Sequence, residues 1–186
     1  KDFHTLKRLP APKTKKETPF SPIDFDQLIN ADIYKPAQYM GHELGTNKAP
    51  WINKDIHWVL SYPELYEVGA SNLGHIILYS ILNKIPNQFC DRAYLPGNDL
   101  SKKLREKSIS LFAVESRRPL LAFDIVGFSL SYELGATNIL EMLDLANIPI
   151  HSKDRNDLKL SDPNSIPLIF AGGPTATSNP EPYASF

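Results

Sequence analysis

The chain has 186 residues, a mass of 20.9 kDa and a formal net charge of −1 at pH 7. A hydrophobic content of 42% and a charged content of 22% are ordinary globular values, which excludes wholesale disorder. The balanced charge gives no overall basis for binding nucleic acid or an anionic membrane, and no apolar run approaches the ~20 residues of a membrane-spanning helix. The single cysteine, Cys90, cannot form an internal disulfide, which favours a reducing compartment. We therefore expect one core of ordinary domain size.

Residues 1–22 are predicted to form a flexible basic arm. The arm holds six Lys and Arg residues and four Pro residues, and its only acidic residues are Asp2 and Glu17. Such a composition buries little apolar surface and favours a solvated segment. Three interpretations stay open, namely a simple linker, the remnant of an organelle transit peptide, or an arm that contacts RNA. Because the chain begins with Lys1 rather than Met, we expect it to be part of a longer protein.

Residues 23–54 are predicted to form an irregular extension with one short helix at 23–29, and the α/β domain proper is expected at 55–186. Apolar runs typical of buried strands occur near 55–62, 90–95, 124–130, 148–151 and 167–171. A short extra strand is predicted near 111–114. Helical patterns separate these runs. They predict an α/β fold with a flavodoxin-like open parallel sheet of about five strands, ordered 2-1-3-4-5, with helices on both faces. The first, third and fifth strands are expected to be central and buried.

Capping residues and apolar spacing place three helices between these strands. Ser71 is the expected N-cap of the first helix, and Asn138 with Glu141 resembles a capping box at the start of the third. In the second helix, Leu100 and Leu104 are expected to face inward. The first helix is expected to carry four apolar side chains on one face, those of Leu73, Ile76, Ile77 and Ile81.

Small and polar residues follow three of the predicted strands. Parallel strands bring their carboxyl ends to one edge, where open α/β sheets bind ligands. Glycines there let a flat ligand approach the backbone, and serines supply hydroxyl groups. If a ligand binds, the loops at 66–74, 129–133 and 172–175 are expected to converge on it. The predicted cofactor-binding residues are Tyr66, Gly69, Ser71, Gly74, Ser129, Ser131, Glu133, Gly172, Gly173 and Thr175.

No residue of the chain is predicted to be catalytic or to bind a metal. The glycine spacing fits neither the dinucleotide fingerprint nor the P-loop, so a phosphate site at the helix near Ser71 is only one hypothesis. His75 is either a metal ligand or, as we prefer, an exposed or hydrogen-bonded helix histidine. Residues 115–118, Glu-Ser-Arg-Arg, either bind an acidic group or form a solvated charge cluster. Cys90 is expected to be a small packed residue rather than a reactive thiol.

Several strings of the sequence resemble one family, the N-terminal, cobalamin-binding-like domain of large radical S-adenosylmethionine (SAM) proteins. The similarity is greatest to the cyanobacterial or plastid branch and covers residues 30–186, with Gln38 where the family usually has Arg. The strings are KPAQYMGHE (35–43), YPELYEVGASNLG (62–74), FAVESRRPL (112–120), GFSLSYEL (127–134), AGGP (171–174) and NPEP (179–182).

The resemblance implies a division of labour between two domains. In that family a catalytic barrel follows this domain and holds the 4Fe-4S cluster and SAM, so the expected partner is the chain's own downstream radical SAM domain. Cobalamin is a further cofactor implied for the α/β domain. Cobalamin domains with a histidine ligand carry Asp-x-His-x-x-Gly after the first strand, whereas residues 63–69 contain no histidine. Either cobalamin binds without a protein ligand, or the fold is kept for docking.

The leading hypothesis is therefore an accessory domain of a radical SAM iron–sulfur enzyme that positions or covers the catalytic barrel. One alternative is a non-catalytic module that binds a nucleotide or flavin at the same sheet edge. Another is a module that docks protein or RNA through the basic arm. The expected location is the cytoplasm, or the plastid stroma if the source is a eukaryote.

Overall fold

The fold is built around an open, fully parallel four-stranded sheet. The computed structural model describes residues 20–26, 28–46, 49–52, 54–155 and 166–186. The strands are β1 (Ile56–Tyr62), β2 (Gln88–Tyr94), β3 (Ile125–Ser129) and β4 (Leu168–Gly172). Their spatial order in the sheet is β2-β1-β3-β4. The predicted α/β class and the parallel arrangement are confirmed, with four strands in the described ranges.

Helices connect the strands in the expected alternation. They are α1 (Tyr66–Gly69), α2 (Leu73–Lys84), α3 (Asn98–Lys107), α4 (Gly135–Leu145) and α5 (Pro174–Ser178). Short 3₁₀ helices occupy Pro36–Tyr39, Leu120–Ala122, Ser152–Arg155 and Glu181–Tyr183. No helix in the described ranges is long and apolar enough to cross a membrane.

One face of the sheet, which we call the closed face, is covered over β1 and β3, whereas Ile169 of β4 is half-buried there and Ala171 is exposed. Val59, Val126 and Phe128 project from β1 and β3 into the main core, where they meet buried side chains of α3 and α4 such as Leu104 and Leu143. Alternate residues of a strand point to opposite faces, so their neighbours in sequence face the other way. The closed face therefore carries most of the apolar burial that holds the fold together.

The opposite face, which we call the open face, is covered only over β1 and β2. There α2 packs Tyr79 and Leu82 against Leu60 and Cys90. Over β3 and β4 the side chain of Phe170 crosses Gly127, and Phe170 remains 42% exposed. The prediction that the strand near 167–171 is central and buried is wrong, because β4 is an edge strand of the described sheet and its open-face side is uncovered.

The extension packs onto the domain rather than lying apart from it. Phe25, Leu28, Ile33 and Tyr39 are buried in the main core. The predicted helix at 23–29 is wrong, because the described residues of that stretch form turns whose apolar side chains dock one by one. The basic arm predicted at 1–22 lies almost wholly outside the described residues.

Two predicted strands are absent from the described ranges. The strand predicted at 148–151 is wrong. Pro149 has no N–H to donate to a neighbouring strand. The guanidinium of Arg155 donates hydrogen bonds to the carbonyls of Pro149 (2.5 Å) and Ile150 (2.7 Å). The extra strand predicted near 111–114 is reduced to a single bridge between Phe112 and Pro119.

The predicted N-cap of α2 is also wrong. Its N-cap is Asn72, whose side chain accepts a hydrogen bond from the His75 backbone N–H (3.0 Å), and not Ser71. The helix buries His75 and Tyr79 instead of its aliphatic residues. The four residues expected on one face of the helix are between 40% and 68% exposed, namely Leu73, Ile76, Ile77 and Ile81.

The other two helix predictions have mixed outcomes. Leu100 and Leu104 of α3 are buried as expected. The capping box predicted at Asn138 is wrong, because α4 already begins at Gly135. The amide of Asn138 instead donates to the Pro63 carbonyl (2.8 Å) in the loop after β1.

Cys90 is buried as predicted, and burial raises the pKa of its thiol well above the usual range.

Candidate functional site

A cavity of about 450 Å³ lies between α2 and the open face, toward the carboxyl ends of β1, β3 and β4. Half of the ten predicted cofactor-binding residues line it, although they come from three separate loops. These residues are Gly74, Ser129, Ser131, Gly172 and Gly173. The parallel strands bring the loops together at this edge, as the sequence pattern indicated.

The other five predicted residues do not line this cavity. The Tyr66 hydroxyl donates to Glu43, and the Ser71 hydroxyl turns back onto the Glu67 carbonyl at 3.0 Å. A Cβ atom on Gly69 would lie 2.6 Å from the Tyr94 ring, so this glycine permits close packing rather than ligand approach. The remaining two are the exposed Glu133 and the buried Thr175.

Side-chain hydrogen bonds tie the loops after β1 and β3 together at the cavity. The Asn72 amide donates to the Tyr62 hydroxyl (3.1 Å), which lies 3.1 Å from the Ser131 hydroxyl. Nearby, the Tyr132 hydroxyl donates to Glu64. These bonds fix the rim before any ligand arrives, which reduces the ordering cost of binding.

The two glycines after β4 have different roles. Gly173 has φ of +121°, and a Cβ atom there would lie 2.4 Å from the Leu130 carbonyl oxygen, so the backbone itself requires glycine. At Gly172 a Cβ atom would meet no atom within 4 Å. The missing side chain of Gly172 therefore leaves open space, and this position lines the cavity without being needed for the fold.

His75 is the polar side chain of the cavity that is least satisfied. It is 1% exposed, and its Nδ1 lies 3.4 Å from the Ser129 hydroxyl. Its Nε2 has no hydrogen-bond partner in the described part of the chain. Burial, with a smaller effect from the Arg92 charge, lowers the pKa of His75 to about 4, so the ring is neutral at pH 7.

His75 is the hydrogen-bonded helix histidine that we preferred, although it is buried rather than exposed. No group of three His, Cys, Asp or Glu side chains suited to a metal ion occurs among the described residues. A signal was present in the sequence. His75 and Tyr79 are four residues apart and therefore share a helix face, but the aliphatic stripe beside them dominated the pattern.

A second polar group, which we call the Arg92 cluster, lies near the carboxyl end of β2. Arg92 donates to Glu43 (2.5 Å) and Glu115 (2.9 Å), and the Tyr79 hydroxyl also donates to Glu115 (2.8 Å). Asp91 next to it is completely buried and accepts backbone N–H groups, including that of Ser116 at 2.7 Å. The cluster joins the extension, β2 and the loop after α3 through hydrogen-bonded charges.

Burial shifts the pKa values of the carboxyl groups in this cluster. It raises the pKa of Glu115 to about 7, with Asp91 adding to the shift and Arg92 opposing it. Burial acts in the same direction on Glu43, but hydrogen bonds from Tyr66 and Arg92 outweigh it and lower the pKa. The interpretation of 115–118 as a solvated cluster is wrong for Glu115, whose side chain is buried.

The two arginines of 115–118 are held against aromatic rings. Arg117 lies over the Phe25 ring, with its guanidinium carbon 4.3 Å from the ring centroid, and Arg118 lies over Trp51 at 4.6 Å. Cation–π contacts of this kind stabilise packing. These side chains anchor the extension, which is a structural use of both charges.

The geometry defines a class, an open α/β domain with a ligand-sized cavity at the carboxyl edge of its sheet. A family profile described as "Radical SAM proteins, N-terminal" matches residues 74–186. The chain therefore belongs to this family, and it is an accessory domain of a radical SAM protein. A search of curated proteins finds no match to the chain.

Proposed function

We propose that this domain docks against the catalytic barrel of a radical SAM enzyme and positions or covers it, while the barrel holds the 4Fe-4S cluster and SAM. The observation that carries the proposal is the uncovered half of the open face. Parallel sheets are normally covered on both faces, because their strands are apolar on both sides. Here the open-face side chains of β4, Leu168 and Phe170, are 45% and 42% exposed, although the closed-face side chains of β1 and β3 are buried.

The uncovered side continues into the outer surface of α2. Ile81 of α2 and Phe170 of β4 border the same cavity, so the two apolar surfaces meet there. We call the combined surface the apolar strip, and it comprises Leu73, Ile76, Ile77, Leu78, Ile81, Leu168 and Phe170, all at least 40% exposed. Contiguous apolar surface of this kind marks an interaction site. The family to which the chain belongs supports the radical SAM barrel as the partner.

The docking proposal is tested by measuring association between this chain and a separately produced radical SAM barrel of the same protein. The double change Ile77→Lys and Ile81→Lys places two charges in the apolar strip and is expected to abolish association. Ile52→Lys makes the same change at an exposed isoleucine before β1 and is the matched control. Equal association of the two variants would contradict the proposal.

Ligand binding in the cavity is the second candidate function, because five predicted residues from three loops converge there. The candidate ligands are cobalamin held without a protein histidine ligand, and a nucleotide or flavin. The open space at Gly172 fits a flat group against the sheet backbone. Bound cobalamin or flavin would supply redox chemistry, while Gly172, Ser129 and His75 would hold and orient it.

Retention through gel filtration tests the ligand candidates one by one. The chain is incubated with cobalamin, riboflavin 5′-phosphate or ATP, and the absorbance of the protein fraction is recorded. Gly172→Val places a side chain in the open space, where its Cβ atom meets no protein atom within 4 Å, and it is expected to remove the retained absorbance. Retention that is unaffected by Gly172→Val would place the ligand elsewhere.

Binding of RNA by the arm would instead be salt-sensitive and lost on removal of residues 1–22.

A further inference from the structure

We infer that the outer edge of β4 pairs with one further parallel strand, supplied by the polypeptide that joins this domain to the rest of the radical SAM protein. The inference concerns the edge of the sheet and not its open face, so it goes beyond the docking proposal. It specifies where the connection to the neighbouring domain runs. The described sheet has two edges, β2 and β4, and the described residues complete them differently.

The β2 edge is closed by hydrogen bonds from the domain itself. The side-chain amide of Asn83 in α2 accepts from the Cys90 backbone N–H (2.9 Å) and donates to the Cys90 carbonyl (3.0 Å). Two positions further on, the Arg92 N–H donates to the Asp91 carboxylate (2.7 Å). The Arg92 carbonyl accepts from the Val114 N–H (2.9 Å). The backbone groups that another strand would need at this edge are therefore already bonded.

The β4 edge has no such bonds. Two hydrogen bonds fix β4 against β3. The Leu168 N–H donates to the Asp124 carbonyl (2.9 Å), and the Gly172 carbonyl accepts from the N–H just after β3 (2.7 Å). Backbone groups alternate in direction along a strand. The N–H and C=O groups of Ile169 and Ala171 therefore point outward, and the described residues make no hydrogen bond to them.

The residues of β4 are those of a strand that is paired on both sides. Exposed sheet edges are normally protected by a charge, a proline or a bulge, because open backbone groups invite pairing. The sequence of β4 is LIFAG, and it pairs with β3 without a bulge. Three of its five residues are exposed although they are apolar, namely Leu168, Phe170 and Ala171. A neighbouring strand would cover them.

The helices show on which side the next strand lies. Parallel strands are joined by right-handed crossovers, so helices on one face carry the chain in one direction across the sheet. On the closed face, α3 leads from β2 to β3 and α4 leads from β3 to β4. On the open face, α2 leads the opposite way, from β1 to β2. Ala176 of α5 packs against the main core on the closed face, so a strand after α5 lies beyond β4.

The segment after α5 reaches the place where such a strand begins. The Ser185 carbonyl accepts a hydrogen bond from the Ser152 N–H (3.0 Å). Ser152 follows α4, which leads the chain from the carboxyl edge of the sheet back to the amino-terminal edge. A parallel strand that begins there ends at the carboxyl edge, beside the cavity. The polypeptide then leaves for the neighbouring domain from the edge that carries the cavity.

The occupant of the β4 edge is a run of about five apolar residues that follows residue 186 in the radical SAM protein. Five residues match the length of β4. The run is apolar because parallel strands are covered on both faces. Its closed-face side chains lie beside Ile169 and Ala171, and its open-face side chains lie beside Leu168 and Phe170.

The inference is tested by hydrogen–deuterium exchange resolved to single amides, compared between this chain and the radical SAM protein that contains both domains. The Ile169 and Ala171 amides are expected to exchange more slowly in the two-domain protein, by about tenfold or more, because their hydrogen bonds must open first. The Leu168 amide, which donates to β3, should be protected in both samples. Equal exchange of Ile169 and Ala171 in the two samples would overturn the inference.

A pair of variants at one position tests the outward hydrogen bond itself. Ala171→Pro removes the outward N–H and leaves the bonds to β3 in place, and Ala171→Val is the matched control that keeps the N–H. In the two-domain protein, Ala171→Pro is expected to restore fast exchange at Ile169, whereas Ala171→Val is not. Protection of Ile169 in the chain alone that rises with its concentration would assign the edge to a second copy and overturn the inference.

The same measurement separates this inference from the docking proposal. Ile77→Lys with Ile81→Lys alters α2, which lies over β1 and β2, and is expected to leave the Ile169 and Ala171 amides protected in the two-domain protein. Loss of that protection in the double variant would show that docking, and not a further strand, covers the β4 edge.

Discussion

The two faces of the sheet are built from similar apolar residues but are completed differently. The closed face is covered by α3, α4 and the extension, and its side chains on β1 and β3 are buried. On the open face α2 covers β1 and β2, while Leu168 and Phe170 of β4 remain 45% and 42% exposed. The difference teaches that apolar content alone does not mark the core. One face stabilises this domain, and the other is available to a partner or ligand.

The two polar groups of the open face show the same contrast. In the Arg92 cluster the buried charges meet each other or backbone N–H groups. Buried charges that are paired in this way stabilise the fold, because removing one leaves the others without a partner of opposite charge. His75, by contrast, keeps a buried nitrogen without a partner in the described chain. The cluster is therefore structural, whereas the burial of His75 leaves one of its nitrogens without compensation from the described residues.

The largest expected effect is on the Arg92 cluster. Arg92→Met removes the guanidinium that Glu43 and Glu115 share, and a broken buried ion pair costs about 3–5 kcal/mol of unfolding free energy. Urea unfolding followed by circular dichroism measures the loss. Adding Glu115→Gln to Arg92→Met is expected to recover part of it. A loss below about 1 kcal/mol would mean that the cluster is not structural.

The next effect compares the same change on the two faces. Leu143→Ala removes a completely buried side chain of the closed face and is expected to cost about 2–5 kcal/mol. Leu73→Ala makes the identical change at a residue of the apolar strip that is 68% exposed, and it should alter stability by about 0.5 kcal/mol or less. Similar losses in urea unfolding for both variants would contradict the distinction between the faces.

A smaller effect should appear in the pH dependence of stability. The pKa of His75 falls from 6.5 to about 4 on folding, so between these values the unfolded chain binds a proton that the folded chain does not. Stability is therefore lost as the pH falls through this window, by up to about 3 kcal/mol. His75→Phe should lack this loss. If the unfolding free energies of the two proteins changed equally between pH 7 and pH 4, His75 would not be held neutral in the folded chain.

The smallest expected effect on stability is at the apolar strip itself. Ile77→Lys with Ile81→Lys should leave the unfolding free energy of the isolated chain within about 0.5 kcal/mol per site, because both side chains are already about half exposed. The same double variant should reduce self-association at high concentration, measured by sedimentation velocity. Clear destabilisation would indicate that α2 packs through these residues after all.

The sequence was sufficient for the fold class and for the edge of the sheet that carries the loops. The apolar runs of β1 and β3 stand where they were predicted, and Ser129 and Gly172 meet at one cavity as expected. Such features are local, since each depends on a strand and the turn that follows it.

The errors arose where tertiary contacts decide the outcome. The aliphatic stripe of α2 has the correct period, but a period does not say whether a stripe faces its own core or another domain. Arg92 pairs with Glu43, which lies 49 positions away in the sequence, and no local sequence pattern predicts such a pair. The strand predicted at 148–151 failed because Arg155 takes the carbonyls that a ladder would use.

The most direct test of the central claim, that the uncovered half of the open face is a docking surface for the catalytic barrel, is hydroxyl-radical footprinting. Side-chain oxidation of Ile77, Leu168 and Phe170 is compared between this chain alone and a radical SAM protein that contains both domains. The account predicts strong protection of these three residues in the two-domain protein and equal oxidation of the exposed Ile52 in both. Equal oxidation of Ile77 and Phe170 in the two samples would contradict it.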